Sequence, residues 1–246
     1  MNFFGSITGR MSAGALLDLV WPRSCEGCGA APGRTGHSLC WDCLASLPLI
    51  QKPFCSLCGD PVEGAITRDY VCSLCVDHRP GFDKARSALQ FKGVMKDLLH
   101  KFKYERAIHL RHDLAVLLHA CVRANYEGES FDAVTFVPLH PAKERARTYN
   151  QARLLADDLS RLMEVSVAPG CLVRLRETGT QTRLNMRERA RNVAGAFAVP
   201  NSGWIEGRSI LLVDDVMTTG ATVSECSRAL KEAGAVAVCV VTVARG

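Results

Sequence analysis

Apolar and polar positions along this chain follow two regimes that meet near Pro80-Gly81. Beyond that point, short β-branched or aliphatic runs alternate with longer stretches of helical spacing. A short strand is predicted at Ala88–Phe91. Gly93 then opens a helix over Val94–Phe102. A second helix covers His109–Ala124, with Leu110, Leu114, Leu117, Leu118 and Cys121 on its inner face. Ala133–Val137 reads as a central strand, and Pro138 and Pro141 punctuate the loop after it. Helical spacing returns over Asn150–Met163 through Ala152, Leu154, Leu155, Leu159 and Leu162. A short strand surrounds Leu172–Leu175, and an arginine-rich polar segment then runs to Arg191. The chain closes with Ala196–Val199, a strand Ser209–Val213, a helix Ala221–Ala233 and a strand Val236–Val243. Strands alternating with helices predict a parallel α/β sheet. Ligands in such sheets bind beyond the carboxyl ends of the strands, here after Val137 and Val213.

The strand ending at Val213 continues Asp214-Asp215-Val216-Met217-Thr218-Thr219-Gly220-Ala221-Thr222. Two carboxylates, a hydroxyl-rich turn and a helix start suit a sugar phosphate. First-turn N–H groups and hydroxyls bind the phosphate, and the acids stand within reach of ribose hydroxyls or a hydrated magnesium ion. An ordinary buried strand ending in a polar turn does not account for paired acids followed by three threonines around a glycine. No Gly-Lys-Ser/Thr phosphate loop occurs. The run resembles the phosphoribosyl-pyrophosphate (PRPP) signature of type I phosphoribosyltransferases. By that resemblance Asp214 and Asp215 contact the ribose 2′- and 3′-hydroxyls, and Thr218, Thr219, Gly220, Ala221 and Thr222 hold the 5-phosphate. Purine-using relatives carry an aspartate where Thr218 stands, which argues against purine salvage and leaves the acceptor open.

Before Pro80 the pattern is set by cysteine. Eight of the twelve cysteines form Cys-x-x-Cys pairs: Cys25/Cys28, Cys40/Cys43, Cys55/Cys58 and Cys72/Cys75. Two such pairs make a tetrahedral four-thiolate zinc site. Gly29 and Gly59 follow the second cysteine of two pairs and permit the left-handed turn of a zinc knuckle. Neighbouring pairs sharing one ion is the simplest assignment, and a cross-braced arrangement stays open. Two structural Zn²⁺ ions are therefore expected, since a segment so poor in large apolar side chains cannot build a core without metal. Without a secretory signal, a disulfide scaffold is disfavoured. His37 and His78 are spare ligands. Cys121, Cys171, Cys226 and Cys239 sit in apolar contexts and read as buried small hydrophobes.

Composition narrows the picture only modestly. The chain has 246 residues, 48% hydrophobic and 22% charged, as in ordinary globular proteins. No apolar run is long enough to span a bilayer. The stretch Ala13–Val20 contains Asp18 and leads to no cleavage site, so it predicts a short amphipathic helix and a cytoplasmic location. Net charge is +5, with six Lys/Arg against seven Asp/Glu in residues 1–80 and the basic excess in residues 81–246. Those ranges are the expected ribbon module and ligand-binding domain. Lys84, Arg86, Lys92, Lys96, Lys101, Lys103, Arg106 and Arg111, interleaved with Phe91, Phe102 and Tyr104, suit single-stranded nucleic acid or, more plainly, the solvated rim of amphipathic helices. His140, Lys143 and Arg147, at a strand exit, form a candidate pyrophosphate site. Arg183 and Arg187 lie on a candidate lid.

Taken together, these segments resemble the ComF family over nearly the whole chain. The likeness begins with Leu16-Leu17-Asp18-Leu19-Val20-Trp21-Pro22 before Cys25 and continues through the double zinc ribbon and Phe91–Tyr104. It includes Arg147-Thr148-Tyr149-Asn150-Gln151, where Thr148 replaces a common glycine. Thr180-Gln181, Leu184, Arg189, Asn192-Val193 and Gly195-Ala196-Phe197 complete it. The resemblance implies a type I phosphoribosyltransferase-like parallel sheet flanked by helices, with a small N-terminal double zinc ribbon. It further implies PRPP or a related ribose phosphate with Mg²⁺, and a role in natural transformation beside single-stranded DNA and competence-machinery proteins. An active phosphoribosyltransferase and a non-catalytic PRPP-, nucleotide- or DNA-binding module on the same fold both satisfy these residues.

Overall fold

A computed structural model describes residues 24–31, 37–64, 66, 69–177 and 186–246. The expected helix at 13–20 and the Trp21-Pro22 lead-in lie outside the described residues, as do Thr178, Thr180, Gln181, Arg183 and Leu184. Two compact units divide between Ser46 and Leu47. Among its described residues, the first holds Cys25 to Cys43 and one short helix, α1 (Trp41–Ala45). The second holds Cys55 to Cys75, with α2 (Ser73–Asp77), and the entire α/β body.

The body is built on four parallel strands in the order β1 (Lys84–Gln90), β6 (Ala237–Arg245), β5 (Ser209–Met217) and β2 (Ala133–Phe136). Val167 extends the sheet past β2 through one parallel bridge to Val134. The central strands β5 and β6 are almost wholly apolar and buried, as expected where both faces are covered. Helices α4 (Arg111–Asn125) and α6 (Gln151–Met163) cover one face. The other is covered by α8 (Ala221–Glu232), which also contacts α7 (Met186–Val193) and the antiparallel pair β3 (Val173–Arg174) and β4 (Phe197–Ala198). Two further helices, α3 (Val94–Tyr104) and α5 (Pro141–Arg147), lie near the carboxyl ends of the strands.

Three strands differ from the sequence expectation for one reason, that charged residues sit inside them; β6 runs on to Arg245 instead of ending at Val243. β1 begins at Lys84 rather than Ala88. Lys84 reaches Glu129 at 2.7 Å, and Arg86 is buried, donating to the carbonyls of Ala85 and Ser56 at 2.7 and 2.9 Å. β5 runs on to Met217 instead of stopping at Val213, because β6 continues to pair with it as far as Met217↔Arg245. The expected loop from Arg174 to Arg191 contains the helix α7.

Local chemistry explains the start of α6. The buried Asn150 accepts from the N–H groups of Ala152 and Arg153 at 3.0 and 3.4 Å, and its own amide donates to Val137 O at 3.0 Å. One side chain therefore caps the helix and ties it to the end of the β2 run. Just before it, Thr148 adopts φ +72°, a left-handed conformation that a β-branched residue disfavours and glycine tolerates. Thr148→Gly should accordingly raise unfolding stability by about 0.5–1 kcal/mol, read as a higher urea midpoint at unchanged slope. A lower midpoint would show that the threonine conformation is unstrained.

Candidate functional site

The site is made where β5 outruns β2. The last link between them is Val137 N–H to Val213 O at 3.0 Å, after which Pro138 leads the chain away. Among the described residues, β6 alone then holds β5 in register through Asp214, Val216 and Met217. Successive strand residues face opposite sides. Asp215 is buried and its Oδ1 lies 3.0 Å from Lys103 Nζ at the end of α3. Asp214 is half-buried; its Oδ1 accepts from the Asp215 N–H at 2.9 Å, and it acts electrostatically with Arg174 and Cys226. Burial, and then the adjacent Asp215 charge, push the Asp214 carboxyl up to about 8; the Asp215 N–H, Lys103 and Arg174 oppose this.

Cations crowd the same end of the sheet. Arg147 donates to Gln151 Oε1 and to the Tyr104 hydroxyl, both at 3.2 Å, and its guanidinium lies 5.0 Å over the Tyr104 ring. Gln151 Nε2 donates to Lys103 O at 3.3 Å, and the Tyr149 hydroxyl to Phe102 O at 2.5 Å. These bonds fasten the end of α3 to the α5–α6 segment and set Lys103 beside the acids. The Lys143 ammonium is pushed below its ordinary value by burial first, then by Arg147, Arg174 and Lys103. His140 is the N-cap of α5, its Nδ1 accepting from Ala142 N–H at 3.3 Å. The structure thus gathers Asp214, Asp215, Lys143 and Arg147 at one end of the sheet. Arg183 lies outside the described residues, and Arg187 falls within α7.

After β5, residues Thr218 to Gly220 form the turn into α8. Gly220 takes φ +77°, Thr219 Oγ1 accepts from Ala221 N–H at 3.4 Å, and Ser224 N–H closes the first turn on Gly220 O at 2.8 Å. A cavity of about 470 Å³ opens on one flank of this turn, lined by Cys75, Phe82, Thr219, Ala221, Ser224 and Arg228 among others. Neither acid lines it, nor does Lys103.

Each cysteine cluster stands inside one compact unit, so neighbouring pairs share a site and the cross-braced alternative is set aside. Within each set of four, the sulfur atoms all lie within 4.8 Å of one another, with Cys28–Cys40 and Cys58–Cys72 both at 3.7 Å. A tetrahedral ion with Zn–S bonds of about 2.3 Å requires sulfur separations of about 3.8 Å. Backbone N–H groups of Gly27 and Cys40 point at Cys25 Sγ, and those of Cys58 and Cys72 at Cys55 Sγ. These donors outweigh burial and lower the Cys25 thiol to about 6 and the Cys55 thiol to about 7. Gly29 and Gly59 take φ +75° and +68°, as knuckles need. Two four-cysteine zinc sites therefore fit the double ribbon.

Sequence reading gives neither Lys103 nor Arg174 a place beside the acids; Arg174 enters it only as the start of the arginine-rich candidate lid segment. Lys103 was assigned to a basic stripe that the fold breaks up: Lys84 pairs with Glu129, Arg86 is buried, and Arg111 grips Asp158 at 2.7 and 2.8 Å. A usable signal was the position of Lys103 beside the apolar Phe102 at the end of an amphipathic helix.

Residues 16–76 match the family description "Double zinc ribbon domain", and residues 150–246 match "Phosphoribosyl transferase domain". The chain is 30% identical to the DNA utilization protein YhgH of Escherichia coli K12 across 83% of this chain and 95% of that protein. It is 29% identical to Competence protein F of Haemophilus influenzae, covering 80% and 86% of the two chains. It is 30% identical to Competence protein ComFC of Bacillus subtilis, covering 82% and 81%.

The raised Asp214 value has a definite sign. An acid whose folded value lies above its unfolded one opposes folding increasingly as pH climbs from about 4 toward about 8, and the loss is complete above that. Asp214→Asn should therefore flatten the fall in urea midpoint between pH 5 and about 8. An identical slope in both proteins would rule out a strained carboxyl there.

Proposed function

The chain belongs to the ComF family, which joins a double zinc ribbon to a phosphoribosyltransferase domain, and we propose that it binds PRPP with Mg²⁺ and serves in handling internalised single-stranded DNA. The observation that carries the reading is the acid pair held past the end of β2, directly ahead of the threonine turn into α8. In this reading residues 1–80 bind metal and residues 81–246 bind ligand, although the packing division falls earlier, at Ser46. The protein acts in the cytoplasm, beside competence-machinery proteins.

Asp214 and Asp215 accept hydrogen bonds from the ribose 2′- and 3′-hydroxyls. Thr218 to Thr222 and the first turn of α8 hold the 5-phosphate. Lys143, Arg147 and His140 face the pyrophosphate, and Lys103 exchanges its contact with Asp215 for a phosphate oxygen. Arg183 and Arg187 close over the ligand as a lid. Mg²⁺, when bound, supplies charge neutralisation at the pyrophosphate, for which the carboxylates are hard oxygen partners. In a transfer reaction the bond from the anomeric carbon to pyrophosphate breaks with oxocarbenium character. A base nitrogen or other acceptor then attacks, and the protein orients and excludes water without a nucleophile of its own.

A non-catalytic binding module is the second reading. Thr218, where purine-using relatives carry an aspartate, argues against a purine acceptor, because a hydroxyl cannot take or give a proton to an acceptor at neutral pH, and does not separate the two readings. Calorimetry with Mg²⁺ should detect PRPP binding in the native chain and none in Asp214→Asn/Asp215→Asn, at unchanged zinc content. Retained binding in the double variant would remove these acids from the site. Pyrophosphate release with any acceptor, single-stranded DNA included, favours turnover, and PRPP binding without release favours the module.

For DNA, the relevant surface is smaller than the stripe seen in sequence. Tyr104 is 60% exposed, tilted against His100 at 4.9 Å and covered on one side by Arg147. Lys96 is exposed on the same helix. Base stacking on such a ring is worth about 1–3 kcal/mol, so Tyr104→Ala should weaken single-stranded DNA binding by roughly tenfold or more. Lys96→Glu/Lys101→Glu should lower both the affinity and its dependence on salt. DNA binding that ignores both variants and salt would exclude this surface.

A further inference from the structure

We propose that the second cysteine cluster positions the phosphate turn, acting through Arg245, while the first cluster has no such part. The proposal rests on the reading of residues 218–222 given above only for its effect on PRPP.

Four thiolates around a divalent zinc leave a net double negative charge, which must be compensated where water is excluded. In the first cluster Cys28 is exposed, and backbone N–H groups meet Cys25 and Cys40. In the second cluster Cys55, Cys58, Cys72 and Cys75 are all buried and belong to the same apolar core as Phe82, Met217 and Val223. Here a guanidinium supplies the compensation. Arg245, only 6% exposed, directs Nη2 to Cys58 Sγ at 3.7 Å, Nη1 to Cys58 O at 3.5 Å and Nε to Asp60 Oδ1 at 2.9 Å.

Arg245 is also the last residue of β6 and stands in register with Met217, the last residue of β5. Gly246 N–H closes that end on Met217 O at 3.0 Å. The Met217 side chain in turn lies under Gly220, where a Cβ would meet Met217 Sδ at 3.6 Å and Phe82 at 3.8 Å. The far side of the turn is held by the segment leaving the ribbon. Gly81 N–H donates to Ser224 Oγ at 2.9 Å, and a Cβ at Gly81 would fall 2.3 Å from Ser224 O. Residues 218–220 are thus held at one end by a strand clamped to Cys58 and at the other by a helix clamped to the ribbon exit. Metal at the second site fixes both.

The test uses the full-length zinc-loaded chain. Native mass spectrometry counts zinc during chelator treatment, hydrogen exchange follows the amides of residues 214–224, and calorimetry follows PRPP. Cys28→Ser assigns the first site. Arg245→Met replaces Cys58→Ser, a change that risks misfolding. Expected for Arg245→Met is release of the second zinc about tenfold faster, as for outer-sphere partners of metal ligands. Faster exchange at 214–224 and weaker PRPP binding should accompany it. Arg245→Lys should restore part of each, whereas Cys28→Ser should leave exchange at 214–224 unchanged. Unaltered zinc release in Arg245→Met overturns the proposal, as does exchange at 214–224 indifferent to the second zinc or equally sensitive to the first. A native chain that binds no PRPP removes the ribose-phosphate reading alone, and the exchange result still decides this one.

Discussion

The arrangement of the candidate site depends on β5 remaining a strand after its neighbour β2 has ended. Pairing with β6 supplies the backbone links on one side of Asp214, Val216 and Met217, while among the described residues the other side carries no strand beyond Val137. An acid pair at a free strand end would fray and swing. Held by one partner strand, it presents two carboxylates at a fixed rim near the ends of α3 and α5 and the start of α8. The polar groups that approach this rim, Lys103 above all, are themselves fastened by the bonds between α3 and the α5–α6 segment.

Charges at that rim are held against their solution preferences. Asp214 is harder to ionise than a free carboxyl, and Lys143 gives up its proton more readily than a free amine. Clusters of this kind occur where a charged ligand is to be bound, because the ligand supplies the compensating charge that the protein withholds. In the proposed function, that ligand is a ribose carrying phosphates at both ends, set between the acid pair with its cations and the helix start.

The two cysteine clusters share a sequence pattern but not an environment. The first lies in its own compact unit with one thiol open to water. The second is walled by β1, the end of β6 and the approach to α8. Arg86 and Arg245, both buried, link this ribbon to the sheet, Arg86 through Ser56 O and the face of Phe54, Arg245 through Cys58 and Asp60. Metal binding and sheet assembly are therefore coupled on one side of the molecule.

Spacing alone was enough for much of this. Cys-x-x-Cys pairs, the Asp214-Asp215 run with its threonines, and the apolar periodicity of α4, α6 and α8 are local patterns whose chemistry needs only neighbouring residues. The extent of β1 and β5 was not legible, because a charged residue inside a strand looks like its end until the partner that compensates it is known. The same holds for Lys103, Arg174 and Arg245. Each is an ordinary basic residue in the linear chain, and each acquires its role from a group far away in sequence: Asp215, Asp214 and Cys58. Local pattern sets which residues can bind metal or phosphate; only the packing of distant segments decides which charges face one another, since electrostatic pairing is governed by separation in space.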